Sequence, residues 1–331
     1  MENREDSQNL TPRAEEQSND SQELISSLPK VKNWDDLYLY HYQGTWYHSR
    51  CINGVISFQN NFQAEDSDVI LATFPKSGTT WLKALTFAIV HRSRYPLEKS
   101  PLLTSSPHDL VPFLEFDLYM KSPFPSFEHI PTPRILSTHM PCGSLPKSIL
   151  NSNCRVVYMC RNPMDQFISH WTFYHGLGDQ TSDPLPLEEA FEMICQGVQS
   201  YGPIWTQILD YWNASKAQPG KILFLKYEDL MKGDIVSYVK QIAEFLGCPF
   251  SESEETQGVV EEISKLCSFD NMKNLEVNKS GKQPGGAKND TFFRKGIVGD
   301  WKNYLTPAMS ERLEKLMEEK LHGSGLTFKT S

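Results

Sequence analysis

The most constraining feature of the sequence is a short apolar run that leads directly into a glycine-containing loop and then into a helical pattern. Residues 68–74 are apolar and rich in β-branched side chains, which is typical of a strand buried on both faces. The loop Pro75-Lys-Ser-Gly-Thr-Thr80 follows, and residues 80–91 have helical periodicity, with Thr79 or Thr80 placed to cap the helix. This order predicts a strand, a phosphate-type loop and a helix.

Further strand and helix patterns alternate along the chain. Strands are predicted at residues 134–139, 155–160 and 221–227. Helices are predicted at residues 187–198, 204–214, 234–246 and 307–321. Strands that alternate with helices imply right-handed crossover connections and a parallel sheet. We therefore predict one α/β domain over residues 23–331, with a central parallel sheet flanked by helices.

Two segments lack this pattern. Residues 1–22 are rich in Glu, Asp, Gln, Asn and Ser, so we expect a disordered N-terminal tail, followed by a short helix and a turn over residues 24–34. Residues 278–290 are rich in Gly, Lys and Asn and predict a mobile loop. The tail has no hydrophobic core of a secretion signal, and no apolar run is long enough to span a membrane. This favours a cytoplasmic protein without a membrane partner.

Charge and cysteine content narrow the function classes. The formal net charge of −9 argues against a general nucleic-acid partner, so an anionic ligand requires a locally basic pocket. The seven cysteines are an odd number without a Cys-x-x-Cys pair, which favours reduced thiols. We expect no metal site.

The loop at residues 75–80 suits a phosphate-like anion. It offers consecutive backbone N–H groups, a glycine, three hydroxyls and a lysine at a helix N-terminus. It is not a Walker A loop, because the first glycine is absent and Lys76 precedes Gly78. An ATP or GTP hydrolase is therefore disfavoured, and an ordinary strand-to-helix turn is the alternative.

Other chemistry-bearing residues also follow predicted strand ends, where ligands of open α/β sheets bind. Arg161 on a loop and Ser169 on the next helix are spaced to converge on one anion. Arg294-Lys295-Gly296 places two cations beside a residue that permits close backbone approach. His139 is a candidate general base. Each has an alternative explanation. Arg161 can belong to a common turn, Arg294-Lys295-Gly296 to a solvated basic turn, and His139 to the core.

Taken together, four motifs closely resemble the soluble sulfotransferases that use 3′-phosphoadenosine 5′-phosphosulfate (PAPS). The motifs are Phe74-Pro-Lys-Ser-Gly-Thr-Thr-Trp81, Arg161-Asn-Pro with Ser169, Tyr227-Glu-Asp-Leu230 and Arg294-Lys-Gly-x-x-Gly-Asp-Trp301. The resemblance runs from about residue 28 to residue 328. The sequences of residues 81–86 and 106–110 look most like the plant branch. It implies a nucleotide-kinase-like α/β fold.

The resemblance implies a role for each group of matching residues. The residues that match the 5′-phosphosulfate contacts are Lys76, Ser77, Gly78, Thr79 and Thr80. The residues that match the 3′-phosphate contacts are Arg161, Ser169, Arg294, Lys295 and Gly296. The residues that match the adenine contacts are Trp81, Tyr227, Cys267, Ser268, Phe269 and Met272. His139 matches the catalytic base.

The implied reaction is in-line transfer of a sulfonate group from PAPS to a hydroxyl of a small organic acceptor. Such a reaction needs positioning and charge neutralisation and no metal. His139 is expected to accept the hydroxyl proton, and Lys76 to stabilise charge on the departing phosphate oxygen. Ser169 is expected to hold Lys76 away until the acceptor arrives.

Two departures from the family pattern affect these expectations. Ser137 stands where many animal members carry a lysine two residues before the histidine, so Lys76 must act alone. The animal dimer signature appears as Lys302-x-x-x-Thr306-Pro307-x-x-x-Glu311, in which Pro307 removes a backbone donor. We therefore expect a monomer or a weak homodimer.

The acceptor site is predicted to be lined by the aromatic stretch near Trp46 and by residues 113–116 and 171–175, with residues 278–290 as a lid. Resemblance to plant members suggests a hydroxyjasmonate, a flavonoid, a brassinosteroid or a desulfoglucosinolate, and it leans towards the first two. A nucleotide kinase that uses ATP with Mg²⁺ and a catalytically silent relative are the alternatives, and turnover distinguishes them.

Overall fold

The computed structural model describes residues 12–177, 185–283 and 287–328. Seven strands occur in the described residues: β1 Lys30–Lys32, β2 Tyr38–Tyr42, β3 Thr45–His48, β4 Val69–Thr73, β5 Ile135–Thr138, β6 Arg155–Cys160 and β7 Ile222–Lys226. The α-helices are α1 Pro12–Ser27, α2 Ile52–Asn61, α3 Thr79–His91, α4 Pro107–Leu110, α5 Lys147–Asn151, α6 Pro163–Leu177, α7 Leu187–Cys195, α8 Ile204–Ala217, α9 Tyr227–Lys232, α10 Ile235–Phe245, α11 Glu252–Thr256, α12 Val259–Leu266, α13 Phe269–Asn274, α14 Glu276–Ser280 and α15 Pro307–Leu321.

Four strands form a parallel sheet in the order β5–β4–β6–β7. In the register of this sheet, Thr73 of β4 lies beside Met159 of β6, and Cys160 lies beside Lys226 of β7. The carboxyl ends of the strands therefore meet at one edge. The predicted α/β fold with a central parallel sheet is confirmed, and every strand of this sheet ends within about one residue of its predicted bounds.

The central strand β4 is buried at all of its positions because helices cover both faces of the sheet. Ile70 joins a core cluster that includes Ile208 of α8. Its neighbour Leu71 joins a second cluster that includes Leu85 of α3. Successive side chains of a strand point to opposite faces, so a strand between two cores has a continuous apolar sequence.

The strand order creates a crevice at the carboxyl end of β4. The chain places β5 on one side of β4 and β6 on the other, and ligands of open α/β sheets bind at such a point. The loop after β4 carries Lys76, whereas His139, Arg161 and Tyr227 directly follow β5, β6 and β7. Each strand of the sheet thus delivers a predicted site residue to the same edge.

The structure also contains an antiparallel sheet in the order β1–β2–β3, which the sequence patterns do not predict. Gln43 and Gly44 connect β2 to β3 with φ angles of 50° and 80°, the left-handed pair of a two-residue hairpin turn. The Tyr201 N–H donates to the Trp46 carbonyl oxygen at 2.7 Å, so β3 also holds the segment that carries Tyr201. The signal for these strands is their aromatic content, which is typical of β structure.

Helix α1 changes the description of the N-terminal segment. It extends from Pro12 to Ser27, so residues 12–22 of the expected tail are helical, while residues 1–11 lie outside the described residues. The helix ends at Ser27, and β1 begins at Lys30, inside the range 24–34 for which the sequence predicts only a short helix and a turn. Ile25 is 8% exposed and belongs to the core, which anchors the end of α1.

The segment expected to be a mobile loop, residues 278–290, has regular structure at both ends. It begins within α14, and a 3₁₀ helix covers Asn289–Phe292. The Asn289 side chain donates a hydrogen bond of 2.9 Å to the carbonyl oxygen of Val277 in α14. Residues 284–286 lie outside the described residues, and the mobility of the segment stays a prediction.

The contact between α2 and a π-helical turn at Leu114–Leu118 depends on Gly54. A Cβ atom on Gly54 would lie 2.0 Å from the Glu115 carbonyl oxygen. We predict that Gly54→Ala lowers the free energy of unfolding by about 1–3 kcal/mol, because the backbone must move to accept the methyl group. Thermal unfolding measures the effect. Gly220→Ala is the matched control, since nothing lies within 4 Å of an added Cβ there. A melting temperature of Gly54→Ala at or above that of the control would contradict this prediction.

Candidate active site

The loop after β4 leads into a helix that lacks a side-chain cap. The N-cap residue of α3 is Gly78, which has a φ of 96° and provides no side-chain hydrogen bond. Neither threonine caps the helix, which corrects that expectation. Thr79 Oγ1 lies 2.7 Å from Thr73 Oγ1. Thr80 Oγ1 lies 2.9 Å from His108 Nε2. The first backbone N–H groups of α3 thus have no side-chain acceptor, and a helix start of this kind attracts an anion.

Lys76 adopts a left-handed backbone conformation with a φ of 66°, which is strained for a non-glycine residue and recurs at binding sites. Its Nζ lies 4.0 Å from the ring centroid of Phe173 and 5.5 Å from that of Phe292. Burial, together with the charges of Arg161 and Arg294, lowers the pKa of Lys76 to about 7. An anion bound beside this lysine favours its charged form.

Ser169 is buried on α6, the helix that also carries Phe173. Within the described parts of the chain it forms no hydrogen bond with Lys76, because the ammonium group rests on the Phe173 ring. The expected contact that holds Lys76 away is therefore not formed in this structure. A role of Ser169 at the 3′-phosphate stays a prediction.

Arg161 connects the two predicted anion loops. One Nη atom donates to the Lys76 carbonyl oxygen at 3.4 Å, and the other donates to the Ile297 carbonyl oxygen at 3.0 Å. The guanidinium carbon lies 4.7 Å from the ring centroid of Tyr227, a cation–π geometry. The guanidinium group is thereby fixed between the loop after β4, the C-terminal loop and a predicted adenine residue.

Asp300 orients two predicted 3′-phosphate residues in the C-terminal loop. Its buried carboxylate accepts hydrogen bonds from Arg294 Nη1 and from Lys295 Nζ, the second at 2.8 Å. Burial raises the pKa of Asp300, but the bonds from Lys295, Arg294 and Asn303 outweigh burial and hold this pKa at about 2. The carboxylate therefore holds both side chains in place.

Asp165 ties the same loop to the start of α6. Its two carboxylate oxygens accept the backbone N–H groups of Gly299 at 2.7 Å and of Trp301 at 3.1 Å. Hydrogen bonds to a carboxylate are among the stronger ones in proteins. The loop that carries Arg294 is thus held against the helix that carries Ser169.

Three buried side-chain donors of the site have no hydrogen-bond partner among the described residues. They are Ser77 Oγ, Arg161 Nε and Arg294 Nε. Buried polar atoms are normally paired, since an unpaired one costs roughly 1–3 kcal/mol. These donors lie in the loop after β4, at the end of β6 and in the C-terminal loop. They fit a ligand that carries anionic groups at both loops.

Two glycines allow the anion loops to contact the predicted adenine residues. A Cβ atom on Gly78 would lie 2.7 Å from the Tyr227 ring, and one on Gly296 would lie 2.5 Å from the Phe269 ring. Both glycines have positive φ angles, which other residues rarely adopt. Trp81 contacts Tyr227 edge to face at 5.8 Å between ring centroids. The predicted adenine residues are therefore packed directly against the anion loops.

The remaining predicted adenine residues lie beside this cluster. Cys267 and Met272 are buried in the same core as Tyr227. The Ser268 hydroxyl caps α13 by accepting the Asn271 N–H at 3.3 Å, which gives this side chain a structural bond. A contact of these residues with a nucleotide stays a prediction.

His139 is held by the end of the neighbouring strand β4. Its Nδ1 lies 2.7 Å from the Thr73 carbonyl oxygen and 3.2 Å from the Thr73 hydroxyl. A carbonyl oxygen only accepts, so Nδ1 carries the proton and Nε2 keeps a free lone pair. Burial lowers the pKa of His139 to about 3, and nearby cations act in the same direction. The imidazole is therefore neutral, and the lone pair of Nε2 is unprotonated.

Glu115 holds the backbone of this histidine from the other side. Its Oε1 accepts the His139 backbone N–H at 2.7 Å and the Tyr201 hydroxyl at 3.1 Å. Burial raises the pKa of Glu115, and the bonds from His139 and Tyr201 oppose that effect. The candidate base is thus fixed by Thr73 at its ring and by Glu115 at its main chain.

Aromatic rings surround the candidate base. The ring centroids of Phe113, Tyr201 and Phe116 lie 4.6, 5.3 and 6.2 Å from that of His139. The predicted acceptor segment at residues 113–116 therefore lies beside the base. The other predicted segments contribute through Phe173, which covers Lys76, and through β3, which positions Tyr201.

Comparisons with known proteins decide the family. The Sulfotransferase domain model matches residues 66–325 of the chain. Cytosolic sulfotransferase 15 of Arabidopsis thaliana is 49% identical over 327 residues, which cover 97% of this chain and 91% of that protein. The chain belongs to the sulfotransferase family.

Further relatives and solved structures agree with this assignment. Cytosolic sulfotransferase 12 of Arabidopsis thaliana is 47% identical and covers 95% of both chains. The crystal structure of a putative steroid sulphotransferase of the same plant has a TM-score of 0.76 at 42% identity and covers 95% of this chain and 97% of that one. The crystal structure of a mouse sulfotransferase complexed with PAP has a TM-score of 0.67 at 26% identity. The match covers 86% of this chain and 95% of that one.

These findings confirm the predicted resemblance to plant sulfotransferases and the predicted class of enzyme. No helix in the described parts of this sulfotransferase is long and apolar enough to cross a bilayer. The described residues also contain no cluster of His, Cys, Asp and Glu side chains arranged to hold a metal ion.

Four buried charged residues of the sulfotransferase site are not among the predicted ones. They are Lys83, Glu115, Asp165 and Asp300. The sequence contains a signal for each, because each is a charged residue inside or next to a motif whose other members are apolar or basic. Lys83 interrupts the apolar pattern of α3, and Glu115 interrupts the aromatic segment at residues 113–116.

Proposed function

We propose that this sulfotransferase transfers the sulfonate group of PAPS to a hydroxyl of a small organic acceptor in the cytoplasm, with His139 as the general base. The observation that carries the proposal is the bond between His139 Nδ1 and the Thr73 carbonyl oxygen. It leaves Nε2 as a proton acceptor and holds the imidazole against the end of β4, the strand that leads into the Lys76 loop. The PAP complex of the mouse neighbour supports PAPS as the co-substrate.

The binding residues follow from the unpaired donors and the two basic loops. Ser77 and the uncapped start of α3 would hold the 5′-phosphosulfate, whereas Arg161, with Arg294 and Lys295, would hold the 3′-phosphate. The co-substrate supplies a sulfonate group on a phosphate leaving group. These residues fix it and exclude water from the crevice.

In the proposed step, His139 Nε2 takes the acceptor hydroxyl proton while the acceptor oxygen forms a bond to sulfur. The bond between sulfur and the phosphate oxygen breaks in line with this attack. Lys76 stabilises the negative charge that develops on the departing oxygen. The products are the sulfate ester of the acceptor and 3′-phosphoadenosine 5′-phosphate (PAP).

The acceptor class follows from the walls around the base. Phe113, Phe116 and Tyr201 offer flat apolar surfaces close to His139, which suit a planar or alicyclic hydroxy compound. We keep four acceptor classes: a hydroxyjasmonate, a flavonoid, a brassinosteroid and a desulfoglucosinolate. The steroid named for the Arabidopsis structural neighbour supports inclusion of the third.

The first test of this function is sulfonate transfer by the purified protein from PAPS, without added metal, to one member of each acceptor class. A calorimetric titration with PAP accompanies it. Product formation supports the proposal and ranks the acceptors. PAP binding without any product points to an acceptor outside the panel or to a silent relative, and absence of both would remove the proposal. Sedimentation of the same sample measures whether the protein is a monomer or a weak homodimer.

We predict that His139→Ala lowers kcat by at least about 10²-fold, because the acceptor hydroxyl then loses its base. PAP affinity should remain within about twofold of that of the unmodified protein, since the anion loops are intact. Activity assays and calorimetry measure both quantities. His322→Ala, at an exposed position after α15, is the control and should keep full activity. A near-normal kcat of His139→Ala would exclude this residue as the base.

We predict that PAP affinity falls between pH 7 and pH 9. Lys76 has a pKa of about 7 in the free protein, and a bound anion raises that pKa. Below pH 7 the lysine is charged in both states, whereas above pH 7 binding must take up a proton, so the affinity falls by up to about tenfold per pH unit. Calorimetry in two buffers of different ionisation enthalpy measures the uptake. Lys76→Arg keeps its charge and should show a weaker pH dependence. Equal affinities at pH 7 and pH 9 would count against this assignment.

A further inference from the structure

The proposed mechanism leaves one fully buried cation without a role. Lys83 lies in the apolar helix α3 and is 0% exposed. Its Nζ lies 3.2 Å from His108 Nδ1 and 3.5 Å from the ring centroid of Phe113, and it forms no ion pair with any described residue. A buried charge without an ion-pair partner is costly, and an apolar side chain of the same size is often at least as stable. A lysine at this position therefore calls for a functional reason.

Lys83, His108 and Thr80 form a chain of hydrogen bonds, and the direction of these bonds supplies the reason. An ammonium group only donates, so His108 Nδ1 must accept from Lys83. The proton of a neutral His108 then sits on Nε2, which lies 2.9 Å from Thr80 Oγ1 and donates to it. The Thr80 oxygen thus accepts, and its own hydroxyl proton stays available for a third group.

We propose that Lys83 and His108 are positioning residues that turn the Thr80 hydroxyl into a donor for the anion in the loop after β4. This inference rests on the proposed function, because the anion is the phosphosulfate of PAPS. Without Lys83, the imidazole can carry its proton on Nδ1, and Nε2 then accepts the Thr80 hydroxyl proton. The anion would lose one donor although no residue that contacts it has changed.

The groups around Lys83 and His108 favour this direction of the hydrogen bonds. Burial lowers the pKa of His108 well below its usual value, and the charge of Lys83 acts in the same direction, so the imidazole stays neutral. Burial also lowers the pKa of Lys83, to about 7, while the carboxylates of Asp117, Glu115 and Asp109 oppose that effect. The negative charge of a bound phosphosulfate adds to these carboxylates and favours the ammonium form.

The arrangement also supplies a cation near the proposed base. Ser137 stands where many animal members carry a lysine, so that position provides no charge. Ser137 Oγ donates to the Pro112 carbonyl oxygen at 3.1 Å and carries no charge. Lys83 instead brings a cation to the Phe113 ring, whose centroid is 4.6 Å from that of His139. One side chain thus places a cation near the proposed base and orients the Thr80 hydroxyl of the loop.

A double-mutant cycle tests the inference. Lys83→Met removes the donor and keeps the length of the side chain, and Thr80→Val removes the hydroxyl and keeps the shape. We expect each single variant to weaken PAP binding about tenfold, the loss of one hydrogen bond to a charged group. Because Lys83 acts through Thr80, Lys83→Met should cause no further loss in the Thr80→Val background. An equal loss in both backgrounds, or no loss in either, would overturn the proposal.

A matched pair of variants at His108 separates positioning from packing. His108→Gln keeps one acceptor for Lys83 and one donor for Thr80, whereas His108→Leu removes both. We expect His108→Gln to retain PAP affinity within about threefold and His108→Leu to lose about tenfold. Equal affinities of the two variants would contradict a positioning role.

Two further measurements keep folding and function apart. Thermal unfolding should show a melting temperature of Lys83→Met no lower than that of the unmodified protein, because a buried cation is replaced by an apolar chain. Spectra of ¹⁵N-histidine should show His108 with its proton on Nε2, and a changed tautomer in Lys83→Met. A proton on Nδ1 in the unmodified protein would overturn the inference. If the unmodified protein itself neither binds PAP nor forms product, the proposed function fails instead.

Discussion

The carbonyl and hydroxyl groups of Thr73 connect the two halves of the site. The carbonyl oxygen accepts from His139 Nδ1 and so fixes the tautomer of the proposed base. The hydroxyl contacts Thr79 at the start of α3, which follows the anion loop. Because Thr73 ends the central strand of the sheet, neither the base nor the loop can shift without disturbing the core. The distance between proton acceptor and anion site is therefore set by the sheet and not by flexible loops.

Electrostatics explain why the other half of the site needs so many fixed contacts. Lys76, Arg161, Arg294 and Lys295 carry like charges, and their repulsion disfavours a compact arrangement in the absence of an anion. The structure offsets this repulsion with Asp300, which binds two of the four, and with carbonyl groups that hold Arg161. The cluster is thus assembled before a ligand enters, and an anionic ligand relieves the remaining repulsion.

The parts of the fold and site that sequence predicts are those that depend on local patterns. The buried strand β4 and the residues that follow each strand end are predictable, because periodicity fixes the strands and parallel topology gathers their ends. The hydroxyl partners are not predictable in this way. Thr79 and Thr80 are good caps by local rules, but tertiary contacts with Thr73 and His108 compete for their hydroxyls. The sheet of β1, β2 and β3 is not predicted, because its short strands show no strong alternation of apolar and polar residues.

The unpredicted residues share one physical property, which is burial of charge or polarity in an otherwise apolar setting. Burial of Glu115 and of Lys83 costs free energy of solvation, since both side chains are fully buried and Glu115 Oε2 has no hydrogen-bond partner among the described residues. Each also fixes a group that the proposed chemistry uses: Glu115 fixes the main chain of His139, and Lys83 fixes the proton of His108. A side chain that costs stability while directing a proton is better explained by function than by folding.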